Sequence, residues 1–208
     1  MSAIVIGQRP VGPLQVFTYL VQCGSTREAV IIDPGGDERG LARWAEEEGA
    51  QVKLVLNTHG HGDHIAGNEG LCRLLGVPCA LLGREVDFFE LEDRLDCEIQ
   101  RLDDEQEVTV GELRLKVLHT PGHTPGGVCY HTPGQVFTGD TLFVGAVGRT
   151  DLRGSSMRGL LRSIAERLLP LPDDTVVWPG HDYGVTPRST LGRERAENPF
   201  ITELILGR

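Results

Sequence analysis

A short run of branched apolar residues, Val52 to Leu56, feeds directly into Thr58-His59-Gly60-His61-Gly62-Asp63-His64. No other stretch of this chain restricts its fold so strongly. The run reads as a buried strand. The three histidines and the aspartate, spaced by glycines, read as a loop at the strand's end, folded tightly enough for its side chains to converge. A solvated loop has no reason to be so rich in histidine, whereas a metal ion takes both imidazole and carboxylate as ligands. The spacing favours two ions over one. His59 and His61 can share an ion from one side of the loop, while Asp63 and His64 face a second position. A zinc ion wants about four ligands, one position being left open in a catalytic site. The rest of the chain must therefore supply more.

Three later segments have the right character. Thr120-Pro121-Gly122-His123 places a histidine in a Gly/Pro turn after the alternating run Leu113–Leu118. Thr138-Gly139-Asp140 places an aspartate at the end of the apolar run 135–138, and Trp178-Pro179-Gly180-His181 places a histidine just after Val176–Trp178. Each is a ligand-type residue preceded by glycine at the end of an apolar run, where rigid scaffolds carry sites.

Around these segments the pattern alternates. Strands are expected at 16–21, 29–32, 113–118, 128–130, 135–138 and 176–178. A helix capped by Asp37 is expected to run through Leu41, Trp44 and Ala45 to Gly49, and another to carry Leu71, Leu74 and Leu75 to Gly76. Met157 to Leu169 reads as an amphipathic helix and 189–197 as a short terminal one. The charged segment 84–105 reads as a helix and a loop, and segments 84–105 and 182–190 are expected to shape a pocket. Alternating elements imply an α/β or α+β layered domain with sheets inside and helices outside.

The length, 208 residues, fits one domain spanning 1–208. A formal net charge of −10 makes nucleic acid a poor partner. Five cysteines without CxxC spacing read as free thiols in a reducing compartment. There is no signal-peptide pattern at the N-terminus and no apolar run long enough to span a membrane, so the cytoplasm is expected. A homo-oligomer is compatible with the sequence.

The pattern His59-x-His61-x-Asp63-His64, then His123, Asp140 and His181, resembles the metallo-β-lactamase superfamily over essentially the whole chain. The phrases TPGHTPG at 120–126, FTGDTLF at 137–143 and PGH at 179–181 are similar to its glyoxalase II-like branch. So are Val147-Gly148-Arg149-Thr150-Asp151 and the ending from Ser189 to Phe200, which look like short bacterial hydrolases of that branch. The resemblance implies an αββα sandwich, two mixed sheets flanked by helices, with two divalent ions at one edge: zinc first, iron or manganese as alternatives. It implies that His59, His61 and His123 hold one ion, that Asp63, His64 and His181 hold the other, and that Asp140 bridges them. His119 and His131 match no ligand position.

A centre of two divalent ions, two aspartates and a hydroxide carries about one positive charge despite the acidic protein. Its water is acidic enough to give hydroxide near neutral pH, and Asp63 would orient that hydroxide besides binding metal. Thioesters such as S-lactoylglutathione suit the site, because a thiolate leaves without a strong general acid. Arg149, Tyr183 and Arg188 are candidates for substrate contact.

The likeness has departures. Glyoxalase II carries a longer helical C-terminal region with basic residues for glutathione, and Gly127 stands where many relatives have a second histidine. His61 stands where oxygen-reducing diiron relatives carry glutamate, and a bridging Asp140 disfavours true β-lactamases. The alternative is a persulfide dioxygenase acting on glutathione persulfide. It is similar at Gly148-Arg149-Thr150-Asp151 and His181-Asp182-Tyr183, and would use one iron at residues matching His59, His123 and Asp140.

Overall fold

The computed structural model describes residues 3–208. Two six-stranded mixed sheets face one another. The first is ordered β1 (Ile4–Val11), β2 (Val16–Cys23), β3 (Glu28–Ile32), β4 (Gln51–Leu56), β5 (Cys79–Leu82) and β6 (Ile99–Leu102). Its first two pairings are antiparallel and its last three parallel. The second sheet contains β7 (Glu107–Val110), β8 (Leu113–His119), β9 (Val128–Thr132), β10 (Gln135–Gly139), β13 (Val176–Pro179) and β14 (Ser189–Thr190), ordered β14-β13-β10-β9-β8-β7. A small hairpin, β11 (Leu142–Phe143) and β12 (Ala146–Val147), follows β10.

Helices cover both outer faces: α1 (Glu38–Glu47), α2 (Gly62–Ile65), α3 (Asn68–Leu75), α4 (Gly83–Phe89) and α5 (Leu91–Arg94) follow strands of the first sheet, while α6 (Met157–Ser163) and α7 (Leu191–Glu197) belong with the second. The apolar side chains sort into three layers accordingly. Tyr19, Ile32, Leu56, Leu115, Val117, Tyr130, Phe137 and Trp178 fill the space between the sheets. Ile31, Val55 and Leu81, pointing the other way from the first sheet, meet Leu41, Trp44 and Leu71 of α1 and α3. Val136 and Val177 meet Leu160, Ile164, Leu168 and Leu191. A strand covered on both faces loses its polar alternation, which is why all eight residues of β2 are buried.

The expected capping is present. Asp37 accepts a hydrogen bond from Gly40 N at the start of α1, and Gly76, at φ 66°, ends α3. The 157–169 helix passes from α-helical to π-helical geometry at Ile164–Leu168. Segment 84–105 holds two short helices and β6 rather than one helix and a loop. Leu74 is 54% exposed, because the buried side of α3 runs through Leu71 and Cys72 instead.

Topology gathers strand ends. β8 and β10 are each antiparallel to β9, and β10 is parallel to β13, so β8, β10 and β13 all point the same way. Their C-terminal ends share one edge of the second sheet. Phe17 N donates to Gly180 O and Val128 N to Thr58 O, at 2.8 and 2.9 Å, joining that edge to the first sheet.

Candidate metal centre

The loop after β4 and the loops after β8, β10 and β13 meet at this edge. His59, His61 and His123 form one group, Asp63, His64 and His181 another, and His59, His64 and Asp140 a third. Within each group the ligand atoms lie within 4.8 Å of one another. Asp140 lies between the first two groups. Its Oδ1 is 3.4 Å from His64 Nε2 and 3.7 Å from His181 Nε2, and its Oδ2 is 3.5 Å from His123 Nε2. Asp63 Oδ2 is 3.5 Å from His181 Nε2 and 3.8 Å from His64 Nε2. Gly180 permits this closeness, since a Cβ there would collide with the Asp140 carboxylate.

Four of the five rings, those of His59, His64, His123 and His181, are turned by a hydrogen bond on the other nitrogen. His64 Nδ1 donates to Asp33 Oδ2 at 3.0 Å, His123 Nδ1 to the Arg149 carbonyl at 2.8 Å, and His181 Nδ1 to the Leu14 carbonyl at 3.2 Å. Thr58 Oγ1 donates to Asp33 at 2.7 Å, so His59 Nδ1 donates to Thr58 Oγ1 at 3.1 Å. These partners fix the tautomers and leave Nε2 lone pairs pointing inward, the arrangement typical of metal-ligating histidines.

The inward atoms are not satisfied by one another. His59 Nε2 and Asp140 Oδ1 are buried without a hydrogen bond among the described residues. His61 Nδ1 faces His123 Nε2 at 2.9 Å, and His64 Nε2 faces His181 Nε2 at 3.3 Å. Nitrogens about 2.0–2.1 Å from a tetrahedral zinc ion stand about 3.3 Å apart, so these contacts are of ligand–ligand size.

Charge favours the same reading. Burial, then repulsion from the neighbouring imidazoles, pushes the His59 pKa well down. Burial and His123 bring His61 to about 4. Burial alone would lower His64 too, but the carboxylates of Asp140 and Asp33 outweigh it and favour positive charge at that ring, whether a proton or a metal ion. Burial would raise Asp63, but the His181 hydrogen bond and His64 hold it at about 2. The site thus offers neutral imidazoles at His59 and His61 and ionised carboxylates at Asp63 and Asp140, the ligand forms that divalent ions take.

Two buried carboxylates that the motif reading did not single out support the loops. Asp33, at the end of β3, accepts from Thr58 N at 2.7 Å besides Thr58 Oγ1 and His64. Glu85, on α4, accepts from Gly60 N at 2.9 Å and Gly126 N at 2.7 Å, tying the His59–His61 loop to the His123 loop. The aspartate ending the apolar run 29–32 was the only sequence signal for the first. Nothing local marked the second.

The substrate candidates separate. Tyr183, 65% exposed, stacks on His181 with ring centroids 4.9 Å apart. Arg149 holds Asp151 in a two-pronged ion pair at 2.7 and 2.8 Å, its carbonyl on His123. Arg188 lies elsewhere, over the Trp178 ring at 5.0 Å, in a cavity with Ile4, Ile6, Gln135 and Val176 that no candidate ligand lines. A different cavity of about 400 Å³ opens beside His61, lined by Phe88, Phe89, Glu90, Arg94, Leu152 and Arg153. His119 Nε2 donates to the Pro125 carbonyl, and neither His119 nor His131 joins a ligand group. Among the described residues no helix is long and apolar enough to cross a membrane.

Residues 11–181 match the model of the metallo-β-lactamase superfamily. A probable metallo-hydrolase, YqgX of Bacillus subtilis, is 32% identical over 92% of this chain and 95% of its own. The mitochondrial persulfide dioxygenase ETHE1 of Homo sapiens is 34% identical over 89% of this chain and 71% of its own. Among solved structures, the BLEG-1 B3 metallo-β-lactamase superposes with a TM-score of 0.84 at 36% identity, covering 95% of this chain and all of its own. ETHE1 from Myxococcus xanthus gives 0.85 at 31%, covering 95% and 84%. TTHA1623 in a di-iron-bound form gives 0.81 at 35%, covering 93% and 99%. The chain belongs to the metallo-β-lactamase superfamily, and its two mixed sheets flanked by helices are the fold of those structures. The His/Asp cluster and the di-iron relative together support metal binding.

Proposed function

We propose that the protein is a dinuclear metal-dependent hydrolase that cleaves small thioesters of the S-lactoylglutathione type. The observation that carries this reading is the second group, Asp63–His64–His181, complete beside His59–His61–His123, with the two oxygens of Asp140 divided between them. In the proposed assignment His59, His61 and His123 hold one ion, Asp63, His64 and His181 the other, and Asp140 both. When bound, two divalent ions supply a hydroxide near neutral pH and polarise a carbonyl.

The chain's own groups do the rest. Asp63 stays ionised and 23% exposed, so its carboxylate can face the attacking oxygen and accept its hydrogen bond. Asp33, Arg149 O and Leu14 O hold three imidazole Nδ1–H groups and keep the rings from turning. Phe88, Phe89 and Leu152 offer the apolar wall of the cavity beside His61, and Arg94 and Arg153 offer cations to an anionic substrate. Tyr183 caps the His181 side. A thiolate leaving group needs no strong general acid.

A second reading has a specific observation behind it: the 34% identity to human persulfide dioxygenase. In it one iron would be held by His59, His123 and Asp140, a two-histidine, one-carboxylate set. Loss of S-lactoylglutathione thioester absorbance, followed with zinc-loaded and iron-loaded protein, separates the two. Hydrolysis that is abolished by chelator and by Asp63→Ala is expected. No hydrolysis with either metal, with oxygen consumed on glutathione persulfide, overturns the proposal in favour of the second reading.

A further inference from the structure

A second cluster of ligand-type side chains lies outside the centre just described. Cys72 on α3, Cys79 at the start of β5 and Cys97 just before β6 bring their sulfurs within 4.8 Å of one another. All three are free thiols, Cys72 and Cys79 buried and Cys97 half-buried. The backbone builds this arrangement. Gly76 ends α3 in the left-handed region and its N–H returns to the Cys72 carbonyl, so the chain doubles back and sets Cys79 opposite Cys72. Cys79 N then donates to Glu98 O at 2.9 Å, which holds the Cys97 segment alongside.

We propose that Cys72, Cys79 and Cys97 form a three-thiolate site for a thiophilic divalent cation with a filled d shell, of the zinc and cadmium type. Buried single cysteines are ordinary core residues; three converging from a helix, a strand and a loop are a ligand set. The scale agrees. Sulfurs about 2.3 Å from a tetrahedral ion stand about 3.8 Å apart, and Cys79 Sγ lies 3.7 Å from Cys97 Sγ. Burial and the neighbouring Cys79 hold the Cys97 thiol at about 12, so that thiol keeps its proton until a cation replaces it. On binding, three S–H protons pass to solvent and three sulfur–metal bonds form. The complex keeps one negative charge, and the part-exposed Cys97 side gives the ion its way in and a water its place as fourth ligand. No thiol belongs to the His/Asp groups, so the two sites differ in ligand chemistry as well as place. Two buried asparagines intervene: Asn68 pairs with Asn57, and Asn57 donates to the His64 carbonyl.

Cadmium titration of the manganese-loaded protein tests this, read by sulfur-to-cadmium charge-transfer absorption in the ultraviolet. Imidazoles and carboxylates produce no such band, so filling or emptying the His/Asp centre does not enter the readout. The native protein is expected to give a band that reaches three-thiolate strength at saturating cadmium. Cys97→Ser, the half-buried position least harmful to folding, should reduce it sharply, and Cys23→Ser should leave it unchanged. A native band no stronger than one thiolate gives, or one that Cys97→Ser leaves intact, overturns the site.

Discussion

Asp33 joins two parts of the centre with one carboxylate: Oδ1 takes the Thr58 N–H, and Oδ2 takes both Thr58 Oγ1 and His64 Nδ1. Its asparagine variant would turn an amide toward one of these donors. Asp33→Asn is expected to weaken metal binding about 10–100-fold, the usual scale for a partner behind a metal ligand; competition with a chromophoric chelator measures this, and unchanged affinity would contradict the role. Glu85→Gln likewise leaves Gly60 N–H or Gly126 N–H facing a donor. It should cost about 1–3 kcal/mol in urea unfolding of the metal-free protein, with the His123 loop loosened. His61 gives a pH dependence whose sign is fixed by its depressed value of about 4. As pH falls below the ordinary 6.5, the unfolded chain takes up a proton that the folded chain refuses. The contribution of His61 to the stability of the metal-free protein is therefore full above about 6.5 and is lost as pH falls toward 4. His61→Gln should flatten that part of the pH–stability curve.

At the scale of elements, α6 is the floor under the His123 loop. Ser156 N donates to Gly122 O and Ser163 Oγ to Pro121 O, both at 2.7 Å, and the Leu160 backbone lies where a Cβ on Gly122 would project. Gly122 has φ 148° and no room for a side chain. Gly122→Ala is expected to move His123 and lower metal affinity as well as stability, whereas Leu160→Ala, in a fully buried position, should cost about 2–5 kcal/mol through its cavity. Calorimetry with and without metal distinguishes them: the glycine variant should also shrink the gain in melting temperature that metal provides. Elements with internal periodicity or a cap, such as α1, β4 and α6, are readable in the sequence because the signal is local. The strands β1, β5, β6 and β7 are not. Arg9 and Pro10 interrupt β1, β6 and β7 are short edge or near-edge strands bearing charges, and their pairing is decided by partners far along the chain.

For the whole molecule, the seven residues His59, His61, Asp63, His64, His123, Asp140 and His181 stand out in the sequence because each follows an apolar run, and the sheet topology brings those strand ends to one edge. Asp33 and Glu85 do not stand out, because a lone carboxylate becomes a clamp only when the fold brings two loops to it. Arg188 stands close to His181 in sequence yet stacks on Trp178 instead, since the segment after His181 returns to pair as β14 with β13. The most direct test of the proposed centre is its stoichiometry. Zinc content should be measured in the Cys97→Ser background, so that the thiol cluster does not contribute. Two ions per chain, falling to one in His181→Ala, is the result predicted; a single ion per chain, unaffected by His181→Ala, would contradict the dinuclear account.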